Sequence, residues 1–326
     1  MIVIAQGASS QTPLPRVAAI LGSTASGKTA FAVRLAMAGL PIEAVCCDAS
    51  QLVAGLDAAT AKPLPHEHSA LRHHLINAVG VADALSAGRY AAMALVAIEE
   101  IRARGRWPVL VGGTGLYHSA LVRGLSPIPP SPDGLRAELE AEVVARGLPS
   151  LWDELATVDP IYAATTPVNN RQRVLRALEV FRATGQRFSA WHATAPAQPL
   201  VRSFDVVLSP CPLELRDALD RRAAAMVTPL LAEVRTLQAA GVHRSAPGLA
   251  ALGYREAWDL LLAGDDRDAE ALLRFATNLA AAHRRYAKRQ RTWFRRDKTV
   301  LQLDPADIAA IALAEVALRR HFDSLD

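Results

Sequence analysis

The octapeptide Gly22-Ser23-Thr24-Ala25-Ser26-Gly27-Lys28-Thr29 constrains this chain more than any other feature. It fits G-x-x-x-x-G-K-[ST] and lies where that pattern has physical meaning. Ahead of it is the apolar run Val17-Ala18-Ala19-Ile20-Leu21, and behind it a helix-forming stretch, 30–38, ends at Gly39. The order of buried strand, glycine loop and helix sets it apart from a chance glycine turn beside a lysine. The glycines let the backbone wrap a phosphate so that N–H groups and the helix N-terminus point at the anion. Lys28 adds a mobile positive charge, and the Thr29 hydroxyl suits a magnesium ion bridging phosphate oxygens. Such a loop reports phosphate binding and does not name a reaction.

The flanking sequence extends this into a fold. Buried-strand runs over 42–47 and 109–111, the second followed by Gly112 and Gly113, alternate with a helical pattern over 87–104. That alternation predicts an α/β fold: a P-loop NTPase-like parallel sheet with helices on both faces. From 124 to 134 the chain turns rich in Pro and Ser, and from there to about Pro199 only helical patterns occur, notably over 134–145 and 169–183. Strand character returns at 204–208, followed by helices over 213–240, 253–262 and 268–296, a strand over 299–303 and a last helix over 305–322. The expected organisation is a flexible extension over 1–15, a core from 16–123 and 200–326, and an inserted all-α domain over 124–199.

Composition narrows the function classes. With 51% hydrophobic residues in 326, there is ample apolar content for a core. The longest apolar stretches fall well short of the roughly 18–20 residues that a membrane span needs. Residues 1–15 lack the pattern of a secretory signal, so a cytoplasmic protein with no membrane partner is expected. Cys46, Cys47 and Cys211 have neither metal nor disulfide spacing and read as small hydrophobes. His66 and His68 alternate as metal ligands do but have no partners, and no histidine is assigned as a ligand. Trp152, Trp191 and Trp258 read as core.

A net charge of +4 names no partner, so the placement of the charges matters. The segment 283–296 carries seven Lys/Arg, no acidic residue, and Tyr286, Trp293 and Phe294 among them. Cations for phosphates with rings for unstacked bases suit single-stranded RNA, although a solvated basic helix face has a similar composition. A second basic group, Arg171, Arg173 and Arg176 with Arg136, lies in the helical insertion. Asp48 follows the strand 42–47, where a carboxylate suits metal support, general-base work or simple loop capping. Spacing alone does not separate these roles.

Seven ordered blocks together resemble one family. They are the phosphate loop; 48–63 with Gly55-Leu56-Asp57 and Thr60-Ala61-Lys62-Pro63; His73-His74-Leu75-Ile76; Val111-Gly112-Gly113-Thr114-Gly115-Leu116-Tyr117; Gln172-Arg173 with 176–180; Gly253-Tyr254-Arg255-Glu256; and Ala287-Lys288-Arg289-Gln290 with Thr292-Trp293-Phe294-Arg295. In this the chain is similar to the tRNA dimethylallyltransferases. Ala49 stands where the family usually has Ser, Val53 where Tyr is common, Ala59 for Gly and Asn77 for Asp.

The resemblance implies transfer of a dimethylallyl group from dimethylallyl diphosphate to the N6 amine of the adenosine 3′-adjacent to the anticodon. The tRNAs concerned read codons beginning with U. By the same token Gly22, Ser23, Thr24, Ala25, Ser26, Gly27, Lys28 and Thr29 hold the diphosphate, with Mg2+ on Thr29, and Arg222 supplies a second cation. Asp48 is the base, and Thr24 and Lys28 share in catalysis. Contacts to the tRNA anticodon stem-loop fall to Asp48, Ala49, Ser50, Gln51, Thr114, Arg136, Gln172, Arg173, Val174, Leu175, Arg176, Gly253, Tyr254, Arg255, Lys288, Arg289, Gln290 and Arg295. Gln51 is a candidate reader of the flipped base. A monomer is expected. A P-loop kinase, a nucleic-acid-binding NTPase and a prenyltransferase of free adenine nucleotides stand as the competing readings.

Overall fold

The computed structural model describes residues 13–194, 197–296 and 299–324. Six strands form one parallel sheet: β1 (Arg16–Gly22), β2 (Ile42–Cys46), β3 (His73–His74), β4 (Trp107–Gly112), β5 (Arg202–Leu208) and β6 (Leu301–Leu303), in the order β3-β2-β4-β1-β5-β6. β1 is central because its apolar run serves both faces. Val17, Ala19 and Leu21 enter one core, and Ala18 and Ile20 enter the other. Ile20 pairs with Val111 on one side and Val206 on the other, while Cys46 also pairs with Val111. The carboxyl ends of β1, β2, β4 and β5 therefore lie along one edge, where ligands of open α/β sheets bind.

Helices α1 (Lys28–Met37), α2 (Pro65–Ala70), α3 (Ala87–Ala103) and α4 (Gly115–Val122) follow the first strands. After the insertion come α10 (Pro212–Ala239), α11 (Tyr254–Ala263), α12 (Ala269–Phe294) and α13 (Ala309–Asp323). Residues of α1 and α13 fill the core on one sheet face, and residues of α3, α10 and α12 fill the other. The chain divides into two compact units, Met1–Val122 with Leu200–Asp326, and Arg123–Pro199.

The second unit holds α5 (Leu135–Arg146), α6 (Leu148–Val158), α7 (Pro160–Ala163), α8 (Arg171–Thr184) and α9 (Phe188–Thr194) around Leu139, Leu151, Leu155, Leu175 and Leu178. Its buried Asp159 accepts from Tyr162 N, at 3.1 Å, and from Ser189 N and Oγ, at 2.8 and 2.7 Å, so one carboxylate caps α7 and ties down α9.

Three local expectations change. Residues 1–12 of the expected extension lie outside the described residues, but Pro15, just ahead of β1, is already tied to β5, its carbonyl accepting Arg202 N at 2.9 Å. The last helix starts at Ala309 instead of 305, because Asp304 and Asp307 each accept the amide two residues on, Ala306 and Ala309, and hold the chain in turns. β3 is a strand with no apolar signature. His74 Nε2 lies 2.7 Å from Glu43 Oε2, which also accepts Arg104 Nη2 at 2.7 Å, so polar pairing secures this edge.

The edge that carries the site leaves no room at Gly112, where a Cβ would come 2.1 Å from the Cys47 carbonyl oxygen. Backbone cannot yield as a side chain can. Gly112→Ala is expected to cost about 3 kcal/mol of stability, read as a lower urea midpoint.

Candidate active site

The phosphate loop is built by its backbone. Gly22 has φ +151° and Gly27 φ +78°, and a Cβ at Gly22 would come 2.8 Å from the Leu208 carbonyl. Gly27 caps α1 without a side-chain hydrogen bond, which leaves the first amides of the helix directed at an anion. Ser23 and Ser26 are 1% and 2% exposed, and neither hydroxyl has a protein partner. Lys28 Nζ donates to Ser23 O at 2.7 Å. Burial pulls its pKa from 10.5 down to about 8; Asp48 opposes that shift and Arg222 adds to it.

The loop is held from α12. Gln290, almost fully buried, accepts Thr24 N at 2.8 Å and donates through Nε2 to Gly113 O at 2.9 Å. One side-chain amide thus joins the loop after β1 to the loop after β4. Thr114, next in that second loop, accepts Ala49 N at 2.9 Å and donates its own N–H to Cys47 O at 3.0 Å, which fixes the chain on both sides of Asp48. Asp48 Oδ1 accepts from Ser50 N at 3.1 Å and Ser50 Oγ at 2.7 Å. The carboxylate is oriented and its other oxygen is left for a ligand.

The segment after Asp48 is closed by its own side chains. Gln51 Nε2 donates to the carbonyls of Thr60 and Ala61, at 3.2 and 2.7 Å. Glu233 accepts the amides of Asp57 and Ala58, and the Tyr254 hydroxyl at 2.5 Å. Lys62 Nζ donates to Val53 O, Asp57 Oδ1 and Asn77 Oδ1.

A cavity of about 360 Å³ opens between these parts, within the range of small-molecule sites, roughly 300–1,000 Å³. Thr24, Asp48, Ala49, Ser50, Arg222 and Arg289 line it, together with His283, Tyr286, Tyr117 and an apolar wall that includes Val53, Leu85 and Leu252. Arg222 reaches in from α10, its Nη2 donating to Ala59 O at 3.5 Å while Nε has no protein partner. Burial lowers its pKa and Asp48 restores part of the loss. Burial also raises the Tyr286 and Tyr117 hydroxyls, the latter to about 12, so both stay protonated donors. Chemically, the cavity offers amides and cations for a diphosphate and, beside them, one oriented carboxylate.

The profile of the IPP transferase family matches residues 51–297. Over 283 residues the chain is 46% identical to a tRNA dimethylallyltransferase from Methylibium petroleiphilum, covering 85% of each. The chain belongs to the IPP transferase family. It is also 40% identical over 324 residues to a tRNA dimethylallyltransferase from Burkholderia thailandensis, covering 95% of this chain and 94% of that one. The crystal structure of the tRNA isopentenylpyrophosphate transferase from Bacillus halodurans matches with a TM-score of 0.66 at 34% identity, covering 95% and 97% of the two chains.

The positions expected to depart from the family pattern fall mostly at the cavity. Ala49, Val53 and Ala59 all line it, while Asn77 serves Lys62. The expected RNA-facing residues divide. Arg173 and Gln172 are exposed on α8, and Arg136 Nη2 donates to Gln172 Oε1 at 3.0 Å. Arg176 pairs with Glu179 and Ser131. Val174 and Leu175 are sealed in the helical unit's core, so their side chains offer nothing to a ligand.

Gly253 and Tyr254 are buried and Arg255 is half-buried, Tyr254 being committed to Glu233. Gln51 and Gln290 spend their amides inside the protein. Lys288, Arg289 and Arg295 are all exposed; Arg289 also borders the main cavity, and Arg295 a small one with Gly22 and Ser23. Sequence reasoning missed His283 and Tyr286 as cavity residues. Both sit in the basic segment, and the signal was helical spacing: they face inward with Ala287 and Gln290, between the exposed cations.

Two outcomes follow from this geometry. Gln290→Leu orphans Thr24 N and Gly113 O at about 1–3 kcal/mol each; a lower melting temperature and a raised KM for the diphosphate substrate are expected. For Lys28, only the charged form can attract an anion, so if the expected diphosphate binds there kcat/KM should fall about tenfold per pH unit above about 8, and Lys28→Arg should remove that limb. The sign for stability is opposite. Between pH 8 and 10.5 the unfolded chain holds more protons at Lys28 than the folded one, so melts should show this group stabilising the free protein as pH rises.

Proposed function

We propose that the chain transfers the dimethylallyl group of dimethylallyl diphosphate to N6 of the adenosine 3′-adjacent to the anticodon, in tRNAs reading codons that begin with U. The observation that carries this reading is one cavity in which Thr24 of the phosphate loop, Arg222 and the Asp48 carboxylate come together. The allylic C–O bond breaks as negative charge collects on the departing diphosphate. Loop amides, the Thr24 hydroxyl, Lys28 and Arg222 are placed to stabilise that charge. The N6 lone pair forms the C–N bond, and the amine proton goes to Asp48. Because that lone pair is delocalised into the ring, an oriented carboxylate acting as its acceptor raises its reactivity. The apolar wall of Val53, Leu85 and Leu252 suits the hydrocarbon.

Magnesium fits this donor set. Among the described residues no group of His, Cys, Asp and Glu forms a metal cage, but the ion commonly rests on one or two protein oxygens plus substrate phosphates. Thr29 Oγ1 would hold it, and bound there it would neutralise charge on the diphosphate. The adenine must leave its stack to reach Asp48, which suits a base flipped from an anticodon loop. We assign Lys288, Arg289, Arg136, Gln172, Arg173 and Arg176 to tRNA contacts, with Thr114, Ala49 and Ser50 near the base. We further propose that the chain acts as a monomer, and in the cytoplasm, where it would meet a tRNA substrate. No helix among the described residues is long and apolar enough to cross a membrane.

The test incubates protein, magnesium and labelled dimethylallyl diphosphate with either an adenosine-bearing anticodon hairpin or AMP. Label is expected in the hairpin; label in AMP alone would overturn the tRNA reading. Asp48→Asn should bind the hairpin with near wild-type affinity yet lower single-turnover transfer by about 10²–10⁴-fold. Near-normal transfer in that variant would sink the base assignment.

A further inference from the structure

His283 is 2% exposed, lines the active-site cavity from α12, and neither of its ring nitrogens has a protein partner. Imidazole nitrogens this deeply buried are ordinarily paired, because a hydrogen bond left unmade in the interior forfeits the group's hydration with nothing in return. In the same cavity the Arg222 Nε–H is buried and equally unpartnered. We propose that His283 is a diphosphate-binding residue, donating a ring N–H to an oxygen of the leaving group beside the Arg222 guanidinium. This rests on the proposed function.

The geometry of α12 decides which substrate the ring serves. His283, Ala287 and Gln290 recur at i, i+4 and i+7 and so share one helix face. Ala287 belongs to a cluster with Leu215 and Leu219 of α10, on which Ala25 of the phosphate loop packs. Gln290 accepts the Thr24 amide. The stripe that carries His283 therefore runs along the phosphate loop.

The charges agree. Arg222 is the charged group that bears on the imidazole, whereas Asp48 acts on Arg222 and Lys28. Burial, assisted by Arg222, lowers the His283 pKa to about 4, so at neutral pH the ring is uncharged, with one N–H donor to give. A phosphate oxygen next to Arg222 accepts it. Adenine, which must face Asp48, lies on the carboxylate side.

The experiment measures binding of inorganic pyrophosphate with magnesium by calorimetry on the full chain, alongside binding of the anticodon hairpin. His283→Leu is expected to weaken pyrophosphate about tenfold or more, as for a lost hydrogen bond to a charged group. KM for dimethylallyl diphosphate should rise with it, while hairpin affinity holds and shows that the fold is intact. His283→Asn or His283→Gln, whichever puts its amide N–H where the ring donated, should recover most of the loss. Unchanged pyrophosphate affinity in His283→Leu overturns the inference, and so does equal loss in all three variants, which marks a packing role. If the wild type binds no pyrophosphate, both readings fall. If pyrophosphate binding depends on His283 but no adenosine is prenylated, only the proposed function falls.

Discussion

The Gln290 carboxamide is the joint on which the site depends. Its oxygen holds the Thr24 amide and its nitrogen holds the Gly113 carbonyl, so one buried side chain of α12 sets the loops after β1 and β4 against each other. Gly113 leads directly into Thr114, whose hydroxyl takes the Ala49 amide. The position of Asp48 relative to the phosphate loop thus passes through three polar contacts, that to Gly113 buried and the other two partly so. In a low dielectric such contacts are stiff and an unmade one is costly. The Asp48 carboxylate and the phosphate loop are held in register in this way, although neither is hydrogen-bonded to the other in the contacts described.

That assembly stands on an edge that the parallel sheet provides. β1, β2, β4 and β5 all point the same way, so their carboxyl ends release the phosphate loop, the Asp48 turn and the Gly113-Thr114 turn along one rim. The tightness of Gly112 against Cys47 is the cost of bringing two of those turns within hydrogen-bond reach. α10 and α12 then cover the rim, α10 bringing Arg222 and Glu233, α12 bringing His283, Tyr286 and Gln290. Burial weakens the hold of Lys28 and Arg222 on their protons, repulsion from Arg222 adds to this at Lys28, and Asp48 resists it at both. A bound diphosphate would relieve that repulsion, which is the electrostatic reason for gathering these groups around one cavity.

Much of this was legible before any coordinates. The apolar run ahead of Gly22 named the central strand, and the glycine, lysine and threonine spacing named the loop that leads into α1, because local backbone geometry suffices for both. The composition shift at residues 124–134 marked where the helical insertion starts, since proline and serine break patterns locally. β3 was not legible: a His-His dipeptide is stabilised by Glu43 and Arg104, which are far from it in sequence. Nor was the division of labour along α12, where a run of cations hides a buried face of His283, Ala287 and Gln290.

By itself, then, the sequence determined the sheet class, the phosphate loop and the family, which local spacing and ordered blocks of residues carry. Only the tertiary structure decided which polar residues are spent on the protein and which are left facing the cavity. Gln51, Tyr254 and Gln290 share blocks with Asp48, Arg255 and Lys288, yet their hydrogen bonds go to backbone and to Glu233. Donor and acceptor chemistry is the same in either role. What separates them is burial and partner distance, and these exist only once α10 and α12 have packed over the sheet edge.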